Sequence, residues 1–184
     1  MKRSPLSAAI FAASFFFLDS PSSKAADAPE ASSCFYWAKV AEAHYGMPSG
    51  LMTAIVSHES YGRPNTLNVD GKAYYFSTPG AAARAIQSLA ATSYEIDVGC
   101  SQITIRWHGK VFRNLGSILD ARSNISYAAW HLASLKDRFG SWQKATERYH
   151  SFQAERGRSY ACKVMQVMQA NKADYAALKG SCDA

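Results

Sequence analysis

The segment "SNISYAAWHLASLKDRFG" constrains the fold more than any other part of the chain. Ile125, Ala128, Leu132, Leu135 and Phe139 recur at three- and four-residue spacings, so a helix gathers them into one apolar stripe. Ser123 or Asn124 is placed to cap its start, and Gly140 ends it. Such a helix gains most of its stability by burying that stripe, so the remaining chain must supply partners.

The partners are mostly helical. Ser33 caps a helix over Cys34–Tyr45, with Phe35, Ala38, Ala41 and Tyr45 on one face and Gly46 after it. Ser49 is placed to cap a second, which runs to about Ser60 with Leu51, Ala54, Ile55 and His58 on a stripe; Gly62 and Pro64 stop it. Thr78 and Pro79 open a third through "GAAARAIQSLAA", and Ser141 caps one carrying Trp142, Ala145 and Tyr149. A final helix is expected over Tyr160 to Leu178, with Val164, Val167, Met168 and Tyr175 inward. The period changes in "LNVDGKAYYF", where Asp70-Gly71 is a hairpin signal between Leu67–Val69 and Ala73–Phe76. Two strands are marginal alone and must pack on the helices. "YEIDVGCSQI" reads as a short extended or turn segment leading into a helical turn. The expectation is an α+β domain, predominantly helical, with a small β-ribbon.

The beginning of the chain reads as an export signal. Met1-Lys2-Arg3 is a charged start, Leu6 to Leu18 is apolar, and cleavage points follow at Ser23-Lys24-Ala25 or Ala26-Asp27-Ala28. The expected layout is a signal peptide over 1–25, a flexible leader over 26–32, a domain over 33–151 and a helical extension over 152–184 packed on it. That places the mature protein in the periplasm or outside the cell, without a membrane span. Lys2, Arg3, Lys24 and Asp19 leave with the signal, so a net charge of +6 falls to +4. Modest positive charge suits an anionic surface such as a cell wall. No basic cluster with interleaved aromatics appears, which argues against a nucleic-acid partner. Cys34, Cys100, Cys162 and Cys182 form an even set, which favours disulfides in an exported chain. Three pairings are open, and Cys100 could equally be a buried thiol. Their spacing makes no metal-ligand cluster.

Against this background "GLMTAIVSHES" carries the chemistry. Glu59 follows Ile55 and Val56 by one helical turn and sits at a helix C-terminus. Apolar neighbours and the helix dipole both raise the proton affinity of a carboxylate. A carboxylic acid still protonated near neutral pH is a general acid, and glycoside cleavage is a standard use. The following "DVGCSQI" offers Gly99 for close backbone approach and Gln102 to donate to and accept from sugar hydroxyl and acetamido groups. The five histidines show no metal-binding spacing, and His58 points about 100° away from Glu59 on a helix.

In order along the chain, "AIVSHES", "DVGCSQI", "SNISYAAWHLASLKDRFGSW" and "ERYHS" resemble the lytic transglycosylases of the SLT-domain type, bacterial enzymes with a goose-lysozyme-like fold that cleave peptidoglycan. Glu59-Ser60, Gly99, Gln102-Ile103, Asn124, Ala128-Ala129 and Tyr149 carry the likeness, which covers about Cys34 to Ser151. Cys100-Ser101 stands where the family usually has Leu-Met, Thr104 replaces its Asn, and His150 follows Tyr149 in place of Asn. "NVDGKAYYF" and "VGC" are similar to a branch of small stand-alone enzymes, some linked to secretion or conjugation systems; a cell-envelope apparatus of that kind is a candidate partner.

The resemblance implies that Glu59 protonates the oxygen between N-acetylmuramic acid and N-acetylglucosamine, while the muramic acetamido group stabilises the cationic carbon. Ionised Glu59 then takes the C6 hydroxyl proton as that oxygen closes onto C1, leaving a 1,6-anhydro sugar. Ser60, Gly99, Ser101, Gln102 and Tyr149 would meet the substrate, and no metal or organic cofactor is implied. Asp97 is a second candidate carboxylate. Close to Glu59 it could activate water for ordinary muramidase hydrolysis; the reading favoured from sequence is a turn aspartate accepting backbone N–H bonds. A wall-binding or assembly factor that keeps the cleft without catalysis is the remaining alternative.

Overall fold

The computed structural model describes residues 33–93 and 95–182. The expected signal peptide and leader lie outside the described residues. The first helix is the expected one: α1 (Cys34–Tyr45), with the Ser33 hydroxyl accepting from the Tyr36 N–H and Gly46 in the left-handed conformation after it. α2 (Leu51–Ser60) differs in its cap, because Gly50 rather than Ser49 precedes it and offers no side chain. Glu42 of α1 supplies the missing acceptor: its carboxylate receives the Gly50 and Thr53 N–H groups at 2.9 and 2.8 Å. A carboxylate at a helix N-terminus satisfies orphan donors and complements the dipole, which explains why Glu42 is buried.

The hairpin forms from β1 (Thr66–Val69) and β2 (Lys72–Tyr75), but it is half of a larger sheet. β3 (Ile96–Val98) pairs antiparallel with the other edge of β1, and β4 (Ile103–Thr104) with β3, in the order β2-β1-β3-β4. A lone ribbon leaves an unpaired edge; here β3 covers it, and Leu67, Val69, Ile96 and Val98 go into the core. α3 (Pro79–Leu89), capped by Thr78, and the short α4 (Ile105–His108) and α5 (Leu115–Leu119) flank the sheet region.

α6 (Ala121–Phe139) starts earlier than its sequence indicated, because Asp120 is the cap and accepts from the Ser123 N–H at 2.8 Å. Asn124 is thereby freed for other bonds. α7 (Trp142–His150) is capped by Ser141, as expected. The last helix is displaced: α8 spans Ala154–Ala170, and only a 3₁₀ turn at Ala176–Leu178 follows. Gly157 concealed its start. A Cβ there would lie 2.8 Å from the Glu147 carbonyl, so this glycine serves the close approach of α8 to α7.

Five helices close a ring: α1 on α2, α2 on α8, α8 on α7, α7 on α6, and α6 back on α1. Ile55, Ile125, Leu132, Val164 and Met168 fill it. Two disulfides staple the fold, Cys34 to Cys100 and Cys162 to Cys182, so Cys100 is not a free thiol. No helix of the described residues is long and apolar enough to cross a membrane.

Candidate active site

α2 ends one residue after Glu59, where Tyr61 turns left-handed. The ring of helices then brings the start of α8 to the same place. Tyr160, 3% exposed, donates its hydroxyl to Glu59 Oε1 at 2.6 Å. Glu59 as a residue is half-buried, and burial is the main influence on its carboxyl. Burial raises its pKa from 4.5 to about 7; the Tyr160 bond opposes this by favouring the ionised form, and the Asp97 charge adds to the rise. Burial also pushes the Tyr160 and Tyr149 phenols well above their ordinary range, with the Glu59 charge as the next cause. Both therefore stay protonated, and Tyr160 is a permanent donor to one oxygen of Glu59. The transferable proton is left to the other, Oε2.

Asp97 belongs to β3 and accepts the Thr104 hydroxyl from β4 at 2.5 Å. The favoured expectation of backbone N–H bonds in a turn is therefore corrected: its partner is a side chain across the sheet. Burial lifts its pKa to about 6, the Thr104 bond works against this, and Glu95 adds to it. The Asp97 charge reaches Glu59 as the smallest of the three causes of its shift, whereas the charge that raises Asp97 is that of Glu95.

The turn between β3 and β4 is held by an unusually complete set of donors. Four successive carbonyls are each claimed: Val98 by Asn124 Nδ2 at 2.9 Å, Gly99 by Gln102 Nε2 at 2.9 Å, Cys100 by Ser60 Oγ at 2.8 Å and Ser101 by Tyr149 at 3.0 Å. Asn124, fully buried, also donates to Ile118 and accepts from the Ser101 N–H. Gly99 adopts φ +80°, and a Cβ there would stand 2.6 Å from Asn124 Nδ2. Its N–H goes to the Thr66 carbonyl. Several of the residues expected to meet substrate thus also hold the turn. The Ser60 hydroxyl, the Gln102 amide and the Tyr149 hydroxyl spend their donors on the turn, and neither backbone group of Gly99 is free. Ser101 is fully buried, and its hydroxyl faces protein. These residues build the wall beside Glu59 before they meet any ligand.

Tyr160 is the site residue that sequence reasoning missed. It lies 101 positions from Glu59, and no local pattern links the two. The available signal was a tyrosine at an inward helix position, whose buried hydroxyl needs a partner. Among the described residues, no group of three or more His, Cys, Asp or Glu side chains is arranged to hold a metal ion. Exposed Trp107 and Trp130 leave aromatic faces on the surface.

A family model described as the transglycosylase SLT domain matches residues 36–163, a span that includes Glu59, the whole turn and Tyr160. Comparison with curated proteins and with solved structures returns no match.

Proposed function

The chain belongs to the transglycosylase SLT domain family and acts on peptidoglycan, and from that premise we propose that it is a lytic transglycosylase cutting the β-1,4 bond between N-acetylmuramic acid and N-acetylglucosamine with a 1,6-anhydro product. The observation that carries this reading is the Tyr160–Glu59 pair: a carboxyl with a pKa of about 7, one oxygen fixed by a phenol and the other left to exchange a proton. Such a group can donate to the glycosidic oxygen and then, ionised and stabilised by the same phenol, accept the C6 hydroxyl proton. No water need enter the reaction. The rigid turn from Gly99 to Gln102 forms the opposing wall, where the acetamido-bearing sugar would lie. Action outside the cytoplasm fits the two disulfides, which persist in oxidising compartments.

The coupling of Asp97 to Glu59 favours one second reading, ordinary hydrolysis with Asp97 activating water. Mass spectrometry of muropeptides released from purified wall separates the two. Products lighter by one water than muramidase products are expected, with none released by Glu59→Gln. Asp97→Asn should keep activity within about tenfold, because the anhydro route uses one carboxyl as both acid and base. Ordinary reducing ends, lost in Asp97→Asn, would establish the hydrolase instead.

A further inference from the structure

Beside Tyr160, the start of α8 and the ends of α2 and α7 line an open cleft of about 330 Å³. His58, His150, Glu155, Arg156, Ser159 and Lys163 line it together with Tyr160, and Glu59 does not. We propose that this cleft binds a carboxylate carried on the muramic residue beside the bond being cut, so that the enzyme selects carboxylate-bearing strands; this rests on the peptidoglycan-cleaving reading above.

Three observations support the assignment. The first is charge. Arg156 and Lys163 face one acidic group, Glu155, and among the described residues neither cation forms an ion pair. One positive charge is left over, which matches a singly charged anion. Arg156, Ser159 and Lys163 lie on one face of α8 by helical spacing, so both cations and a hydroxyl point the same way. Gln153 makes no side-chain cap, and Glu155 and Arg156 belong to the first turns, so the positive end of the helix dipole adds to this wall.

The second is position. Tyr160 is the shared partition. Its ring stacks on His150 at 4.6 Å and 6°, meets His58 edge-on at 5.3 Å, and its hydroxyl reaches Glu59. An anion in the cleft is one ring away from the reacting carboxyl. The third is the state of the imidazoles. Burial first, then Lys163, lowers the His58 pKa; burial, then Arg156, His58 and Lys163, lowers that of His150. A bound anion relieves the crowding of these cations, and an imidazole supplies an N–H donor to it in either charge state. The volume suits one side group with a few neighbouring atoms and lies at the small end of ligand sites.

The test measures binding of the otherwise complete Glu59→Gln protein to three glycan preparations: peptide-bearing strands, amidase-stripped strands with the lactyl carboxylate free, and strands whose carboxylates have been converted to amides. Converting carboxylates to amides should weaken binding about tenfold, and the added pair Arg156→Gln and Lys163→Gln should abolish that difference. Both side chains are exposed, so thermal unfolding should not change. Full affinity for stripped strands identifies the lactyl group as the source; affinity lost on stripping identifies the stem peptide; either supports the cleft. Equal binding of carboxylate-bearing and amidated strands, or no effect of the pair, overturns it. If wild type still releases anhydro products in that case, only the cleft fails; no binding and no release would overturn both readings.

Discussion

Glu59 sits where two helices meet, and its chemistry depends on what each contributes. α2 gives apolar neighbours and a dipole end, both legible as a carboxylate one turn after Ile55 and Val56. α8 gives Tyr160, whose hydroxyl tunes that carboxylate from 101 positions away and was not legible. Tyr160→Phe removes the bond that favours the ionised form, so the Glu59 pKa should rise further. The alkaline limb of the pH–rate profile should move up in pH while kcat falls about ten- to hundredfold. An unmoved limb would show that the phenol does not act on Glu59. Stability should respond too. The unfolded chain releases the Glu59 proton near 4.5 and the folded chain at about 7, so the folded state binds the extra proton between them. Stability therefore declines as pH rises through that window. Glu59→Gln keeps an acceptor for Tyr160 without the buried charge and should stabilise the protein at pH 8 by about 1–2 kcal/mol, after discounting for the open side of the cleft. The gain should vanish near pH 4, as chemical denaturation at both pH values will show.

At the scale of elements, the turn between β3 and β4 is where family pattern and physical role part company. Ser60, Gln102, Asn124 and Tyr149 were legible as one ordered set, but a motif does not say which atom meets which. In the folded chain they act alike, each claiming one carbonyl of the stretch Val98–Ser101. The departures from the family pattern also acquire reasons. Cys100, in place of Leu, is bonded to Cys34 and locks the turn to the start of α1. Thr104, in place of Asn, holds Asp97. The pairing of the cysteines was not legible, since it depends on which distant segments the fold brings together. Asn124→Ala would strand two carbonyls and an N–H in the interior. It should cost about 3 kcal/mol and lower activity with it, read as a shift of the urea midpoint at unchanged slope. A stability within about 0.5 kcal/mol of wild type would mean the turn holds itself.

At the scale of the molecule, helix identities were legible because apolar stripes at α1, α2, α6 and α7 repeat with the helical period. Caps and ends were less so. Glu42 caps a neighbouring helix, and Gly157 marks close packing rather than a stop. Those are tertiary facts expressed at single residues. The sheet grew from two strands to four because its third and fourth strands are too short to show alternation. What the ring achieves is to set an acid on α2, its phenol on α8 and a rigid turn beside them, with Asp97 near enough to be felt but engaged by Thr104. The central claim is that one carboxyl acts twice and water is never a reactant. Digestion of purified wall in water enriched in heavy oxygen tests it directly. The account predicts released muropeptides with no label at the newly formed muramic end; one heavy oxygen at that carbon would contradict it.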